Sequence, residues 1–246
     1  MNAKRIRNGR RLTALLLCLL LMLSGAPLQA LAADTETGVI ACTDPTNADI
    51  AMTYDYDTDT LTVSGTGRFS GQVLVPPWSE AEDMTDAFVL KNLVVEEGVT
   101  AIGPEGDAAY VIATASTTDI YLPDSLTNEN FSCKGATCLA EVRLPAGMHT
   151  LGDHMFDGCK YLDTLNIPQG VIKIGDYTFY GCRALDITLP PLLECIGDKA
   201  FCRSGLTQAV LPDTVTTVGV SAFEQTASLK QATLGAGITA VPKRMF

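Results

Sequence analysis

The sequence predicts a mainly β solenoid: stacked rungs of 22–23 residues joined by a parallel sheet, preceded by a small β-rich segment. Three observations carry this. First, one string returns along the chain: LPAGMHTLGDHMFDGC at Leu144, IPQGVIKIGDYTFYGC at Ile167, LPPLLECIGDKAFCRS at Leu189, LPDTVTTVGVSAFEQT at Leu211 and LGAGITAVPKRMF at Leu234. Second, the intervals are 23, 22, 22 and 23 residues, a period typical of stacked-repeat folds. Third, the same chemical type stands at the same place in each copy. A unit this short cannot bury an apolar face alone, so neighbours must stack to make a continuous core.

Each place in the rung has a physical reading. Apolar residues before the proline, such as Leu165 and Ile167 or Val210 and Leu211, read as a short strand. Pro145, Pro168, Pro190 and Pro212 end it, because proline has no N–H for the ladder. Met148, Val171, Leu193, Val215 and Ile238 stand three residues before Leu151, Ile174, Ile196, Val218 and Val241, and both columns face inward. Gly152, Gly175, Gly197 and Gly219 then mark a tight turn that calls for positive φ. Phe156, Phe179, Phe201, Phe223 and Phe246 supply one ring per rung as the main core filler. Cys159 and Cys182 share a column with Ser204 and Thr226. Zinc does not take hydroxyl groups as routine substitutes in a repeated site, so the column reads as small buried turn residues and not as metal ligands.

The first 32 residues read as a secretory signal peptide. Lys4, Arg5, Arg7, Arg10 and Arg11 precede the apolar run Leu12–Leu23, and Ala30-Leu31-Ala32 places cleavage between Ala32 and Ala33. The run is short for a membrane span of about 20 residues. Cys18 lies inside it behind Leu17, a poor context for lipidation. Residues 33–89 read as the β-rich lead-in, with TYDYDTDTLTVSG as a hairpin, Trp78 as a packing anchor and Glu80–Val89 as an acidic loop or short helix. Residues 90–246 read as the solenoid.

The repeat Ile/Leu-Pro-x-x-Val-x-x-Ile-Gly-x-x-Ala-Phe-x-Gly-Cys-x-x-Leu, met best by IPQGVIKIGDYTFYGCRAL and LPDTVTTVGVSAFEQTASL, resembles the BspA-type leucine-rich repeat of bacterial surface proteins. DTDTLTVSGTGRF from Asp57, PPW ending at Trp78 and LVVEEGVTAIG from Leu93 are similar to the segment that often leads into such repeats. The resemblance runs from about Gly38 to Phe246 and departs from pattern between Gly103 and Cys138. It implies adhesion, through a protein or another cell-surface ligand.

Composition narrows the partners. Removing the leader takes away five of 17 basic residues and none of 28 acids, so the net charge goes from −11 to −16. Such a chain repels nucleic acid and anionic lipid. Seven cysteines remain, an odd number without a CxxC pair, so a full disulfide framework is not expected; if any local bridge forms, Cys133 and Cys138, flanking KGAT, are the candidates. His149 and His154 are confined to one rung, with neither a G-x-S-x-G nor an H-E-x-x-H motif. A hydrolytic reading built on His154 and a nearby acid is therefore the weakest of three. Asp55, Asp57 and Asp59 alternate like the start of a calcium loop, but the sixth and twelfth places hold Thr60 and Thr66 where glycine and glutamate belong. The Gly65–Gly67 triplet reads as a turn. The sequence thus predicts a secreted or cell-surface, non-enzymatic recognition protein without metal or cofactor, its binding residues unassigned. The alternative is a spacer, or the N-terminal piece of a larger exported protein, because KRMF stops at the Phe of an unfinished rung.

Overall fold

The computed structural model describes residues 30–34, 39–44, 46–55, 57–70, 90–104, 109–127 and 129–246. Most of the leader, Trp78 and the acidic stretch Glu80–Val89 lie outside the described residues.

Four antiparallel strands begin the described residues: β1 (Ala30–Asp34), β2 (Val39–Thr43), β3 (Ile50–Asp55) and β4 (Thr60–Gly65). Ala32 and Ala33, the residues of the expected cleavage bond, lie within β1. β3 and β4 form the hairpin read in TYDYDTDTLTVSG, with inward Ile50, Met52, Tyr54, Leu61 and Val63 alternating with solvent-facing residues. Asp59, at φ 54°, makes its turn. The hairpin does not stand apart from the repeats. β5 (Gly67–Phe69) and β6 (Asn92–Val95) follow, and β4 pairs in parallel with β6. The Asp59 carboxylate accepts the Tyr54 hydroxyl at 3.2 Å and pairs with Lys91 at 2.8 Å, holding lead-in and first rung together.

β7 (Val99–Ile102), β8 (Tyr110–Val111), β9 (Asp119–Tyr121), β10 (Phe131–Ser132), β11 (Glu141–Arg143), β12 (Thr150–Leu151), β13 (Thr164–Leu165), β14 (Lys173–Ile174), β15 (Cys195–Ile196), β16 (Gln208–Val210), β17 (Thr217–Val218) and β18 (Gln231–Thr233) complete the order. One eight-stranded sheet runs β1-β2-β3-β4-β6-β9-β11-β13, and β16-β18 are a separate pair. The second inward column builds a parallel sheet of its own, β12-β14-β15-β17, with Leu151, Ile174, Ile196 and Val218 in register. Each complete rung thus turns between two sheet faces. The irregular stretch after Gly103 still forms rungs: Cys133 N–H donates to Met155 O and Gly135 N–H to Asp157 O. Phe131 fills the core beside them.

The rings of Phe156, Phe179, Phe201 and Phe223 are fully buried and stack at 5.2–5.4 Å between centroids, offset by close to one strand spacing of ~4.8 Å. Phe246 stacks on Phe223 at 5.6 Å and stays half exposed.

At the other end of the molecule, Asp44 is buried and closes the loop before β3. Its carboxylate accepts the Thr46 N–H, the Thr46 hydroxyl and the Ser70 N–H, each at 2.7 Å. Burial works to raise its pKa, but the hydrogen bonds from Thr46 and Ser70 outweigh it and hold the carboxyl below its usual 3.8. A folded-state value below the unfolded one contributes stability above pH 3.8 that is lost as the pH falls through the folded value. Thermal midpoints measured from pH 6 downward should therefore fall more steeply for the wild type than for Asp44→Asn, and parallel curves would refute the assignment.

Candidate functional site

The repeat glycines correct the reading made from sequence. Gly152, Gly175, Gly197 and Gly219 do not adopt positive φ. The left-handed residues stand two places later: His154, Tyr177, Lys199, Ser221 and Arg244, at φ 52–59°. A second left-handed column holds Gly158, Gly181, Arg203 and Gln225. The glycines are instead required by close approach. A Cβ on Gly197 would lie 2.6 Å from both Asp176 N and Gly175 C, and one on Gly175 would lie 2.8 Å from Asp153 N. Gly152, whose preceding rung is irregular, has only Met155 Cε nearby, at 3.9 Å.

A ladder explains that crowding. Asp153 Oδ1 accepts the Asp176 N–H at 2.8 Å, Asp176 Oδ1 the Asp198 N–H at 2.7 Å, and Asp198 Oδ1 the Val220 N–H at 2.7 Å. Each carboxylate reaches across the glycine that precedes the residue donating to it. Beyond the glycines, alternate N–H groups of the turn also point along the stack: His154 to Asp176 O, Phe156 to Thr178 O and Gly158 to Tyr180 O, all at 2.8 Å. The left-handed residues are the corners of that turn.

Non-glycine residues pay a steric penalty of order 1 kcal/mol in this conformation, and bulky ones are uncommon there. Here the corner carries His, Tyr, Lys and Arg. His154, Tyr177 and Lys199 of this column, Arg203 of the second column and Tyr180, which is not left-handed, form a continuous ridge. His154 stacks on Tyr177 at 4.8 Å and 11°. Tyr177 meets Tyr180 at 5.6 Å. Lys199 Nζ donates to the Tyr177 hydroxyl at 3.1 Å and lies over its ring at 5.2 Å. Arg203 covers Tyr180 at 5.7 Å. The hydrogen bond with Tyr177 pushes the Lys199 pKa up, so this ammonium stays charged at neutral pH. Cation–aromatic contacts of this kind fix side chains that would otherwise be free.

The two histidines separate. His154 Nδ1 lies 2.8 Å from Asp157 Oδ2, which also binds Lys134 Nζ at 3.1 Å, so its ring belongs to the ridge. His149 is largely exposed, and its N–H donates to Glu129. Among the described residues no three His, Cys, Asp or Glu side chains converge as a metal site. Asp55 accepts the Asp57 N–H at 2.8 Å, and Asp59 is engaged by Tyr54 and Lys91 as above.

Cys159 and Cys182 sit in the wall. Their thiols donate to Cys133 O at 3.2 Å and Phe156 O at 3.0 Å, and Thr226 repeats the contact with Phe201 O at 3.0 Å. Burial pushes the Cys159 thiol up to about 12, and Cys133 and Cys182 well above their usual value. Cys133 and Cys138 are free, the first buried and the second exposed, so the candidate local bridge is not formed. Burial of Cys133 in the core aims it away from solvent, where Cys138 stands. Since the thiolate is the nucleophile, Cys138 should react rapidly with an aromatic disulfide reagent, whereas Cys133, Cys159 and Cys182 should react only on unfolding. Peptide mass mapping of the labelled native protein checks this; fast labelling of Cys159 or Cys182 would contradict it.

A family model described as a BspA type leucine rich repeat region matches residues 124–246 in six copies. Among solved structures, a leucine rich cell surface protein from Faecalibacterium prausnitzii A2-165 is similar, with a TM-score of 0.50 at 20% identity over 80% of this chain and 55% of that one. A leucine-rich repeat protein from Bacteroides ovatus ATCC 8483 gives a TM-score of 0.46 at 22% identity over 79% of this chain and 42% of that one. The chain therefore spans about half the length of these two structures. No curated protein matches it.

Proposed function

The chain belongs to the BspA-type leucine-rich-repeat family, and from that premise we propose that it is an exported, non-enzymatic recognition protein that binds a protein partner through the His154–Tyr177–Tyr180–Lys199–Arg203 ridge. Members of this family are repeat proteins suited to protein–protein interaction, and repeat folds present extended faces for that purpose. One observation carries the choice of face: aromatic and cationic side chains occupy left-handed corners where glycine is cheaper. Tyr and Arg are the residue types that dominate binding energy at interfaces. Held in place by stacking, they lose little further freedom on binding.

Export rests on the basic-apolar-small pattern of residues 1–32, with cleavage between Ala32 and Ala33. Among the described residues no helix is long and apolar enough to cross a membrane. Adhesion to a host surface, extracellular matrix or another cell is the setting in which we place the ridge. The glycine, phenylalanine and cysteine columns hold the ridge in position and take no part in binding.

The test is binding of the purified protein to a broad panel of immobilised host, matrix and bacterial surface proteins. The reading predicts at least one saturable partner whose binding is weakened by Tyr177→Ala. No binder across the panel, or binders indifferent to that change, would count against it.

A further inference from the structure

Beside the ridge the wall of the solenoid is broken. The step from the ladder Phe to the next inward Leu is six residues in the rungs of Phe156, Phe179 and Phe223, but five from Phe201 to Leu206. The shortened turn lies close to the preceding rung: Gly205 N–H donates to Cys182 O at 2.9 Å, and a Cβ there would come 2.8 Å from the Arg183 carbonyl carbon. A notch of about 340 Å³ results, lined by Arg183, Arg203, Ser204, Gly205, Gln225 and Ser228 among others.

The notch holds a surplus of donors. Arg183 and Arg203 are both exposed, and among the described residues neither is in an ion pair. Arg203 Nε donates to Gln225 Oε1 at 2.7 Å, which orients the guanidinium but does not neutralise it. Two acids of these rungs are already engaged, Asp186 by the Thr207 N–H and hydroxyl and Glu224 by Arg244. Ser204 adds a second, independent feature. It is buried, and its hydroxyl has no hydrogen-bond partner, although Cys159, Cys182 and Thr226 in the same column all bond a carbonyl of the preceding rung. The missing bond falls at the shortened turn, where the regular spacing of this column is lost.

We propose that this notch receives a carboxylate side chain from an acidic segment of the partner protein, clamped between Arg183 and Arg203. The assignment rests on the ridge being the recognition face, since Arg203 belongs to both. A planar carboxylate matches the guanidinium fork, which can bind it bidentately. In a chain whose net charge is −11, two unpaired arginines in one notch select against the acidic surroundings and in favour of a negatively charged group.

The experiment uses the full chain labelled with ¹⁵N and follows the arginine Nε–Hε signals, assigned by Arg183→Gln and Arg203→Gln. The probes are acetyl-Gly-Glu-Gly-amide and its Gln counterpart. The expected result is a saturable shift of both arginine signals with the Glu peptide only, weakened roughly tenfold by either substitution. No shift, or equal shifts with the Gln peptide, overturns the proposal. Shifts produced by a sulfated disaccharide but not by the Glu peptide would overturn it too, reassigning the notch to a glycan. If a partner found in the panel binds the Arg183→Gln/Arg203→Gln variant as tightly as the wild type, the notch falls while ridge recognition stands. If Tyr177→Ala has no effect on that partner, the ridge reading falls instead.

Discussion

Replacing Phe179 by Ala is expected to destabilise its part of the solenoid by about 3–5 kcal/mol. The ring is fully buried and stacked on both sides, 5.4 Å from Phe156 and 5.3 Å from Phe201. Its loss removes transfer energy and leaves a cavity that neighbouring rungs cannot close, because their positions are set by ladders on two sheet faces. Each rung touches only its neighbours, so the damage should be local. Hydrogen exchange of the native protein reads this directly: protection should drop most between Phe156 and Phe201 and least in the lead-in hairpin. Phe246→Ala, removing a half-exposed ring, should cost far less. Equal losses for the two substitutions would contradict the ladder.

Gly197→Ala is expected to rival that effect. Overpacking costs about 1–3 kcal/mol when side chains can give way, but here the new methyl meets the backbone at Asp176 N and Gly175 C, each at 2.6 Å. It also presses on the Asp176 carboxylate that bonds the Asp198 N–H. Two rungs must separate or that link must break. Gly152→Ala is the discriminating control. It stands in the same column but meets only Met155 Cε at 3.9 Å, and should be neutral within about 0.5 kcal/mol. Urea unfolding of the two variants side by side checks the contrast. Had the column been needed for positive φ, both would be strained alike.

That contrast also marks what the sequence makes legible. The rung length, the phenylalanine column and the inward apolar columns follow from periodicity, because burial acts on side-chain type at every turn of the stack. The reason for the glycines does not. Close approach and positive φ both select glycine, and only coordinates distinguish them. The true left-handed corners carry His154, Tyr177, Lys199, Ser221 and Arg244, a column with no common chemistry and hence no periodic pattern. Its heterogeneity was the available clue: variable, large, polar residues at a fixed place in a rigid repeat are where recognition can vary. The second parallel sheet was hidden because two-residue strands leave no alternation to read. The notch was visible only as the one-residue shortening between Phe201 and Leu206, which a columnar alignment absorbs as a gap.

The lead-in shows a related limit. Its hairpin is evident from TYDYDTDTLTVSG, but the parallel pairing of β4 with β6 crosses residues 71–89, and no local pattern encodes it. Asp59, which resembles a calcium ligand in sequence, is used instead to tie Tyr54 and Lys91 across that junction.

Recognition is proposed to reside on the ridge of His154, Tyr177, Tyr180, Lys199 and Arg203. The measurement that tests it most directly compares two variants against the partner identified in the panel. One is Tyr177→Ala/Tyr180→Ala/Lys199→Ala on the ridge. The other is Glu141→Ala/Thr164→Ala/Gln208→Ala, at strand positions of the eight-stranded sheet (Glu141, Thr164) and of the β16–β18 pair (Gln208). Calorimetric titration should show affinity lost by at least tenfold for the ridge variant, as expected for truncated interface anchors, and unchanged for the sheet-face variant. The reverse pattern would place recognition on the sheet face and contradict the account.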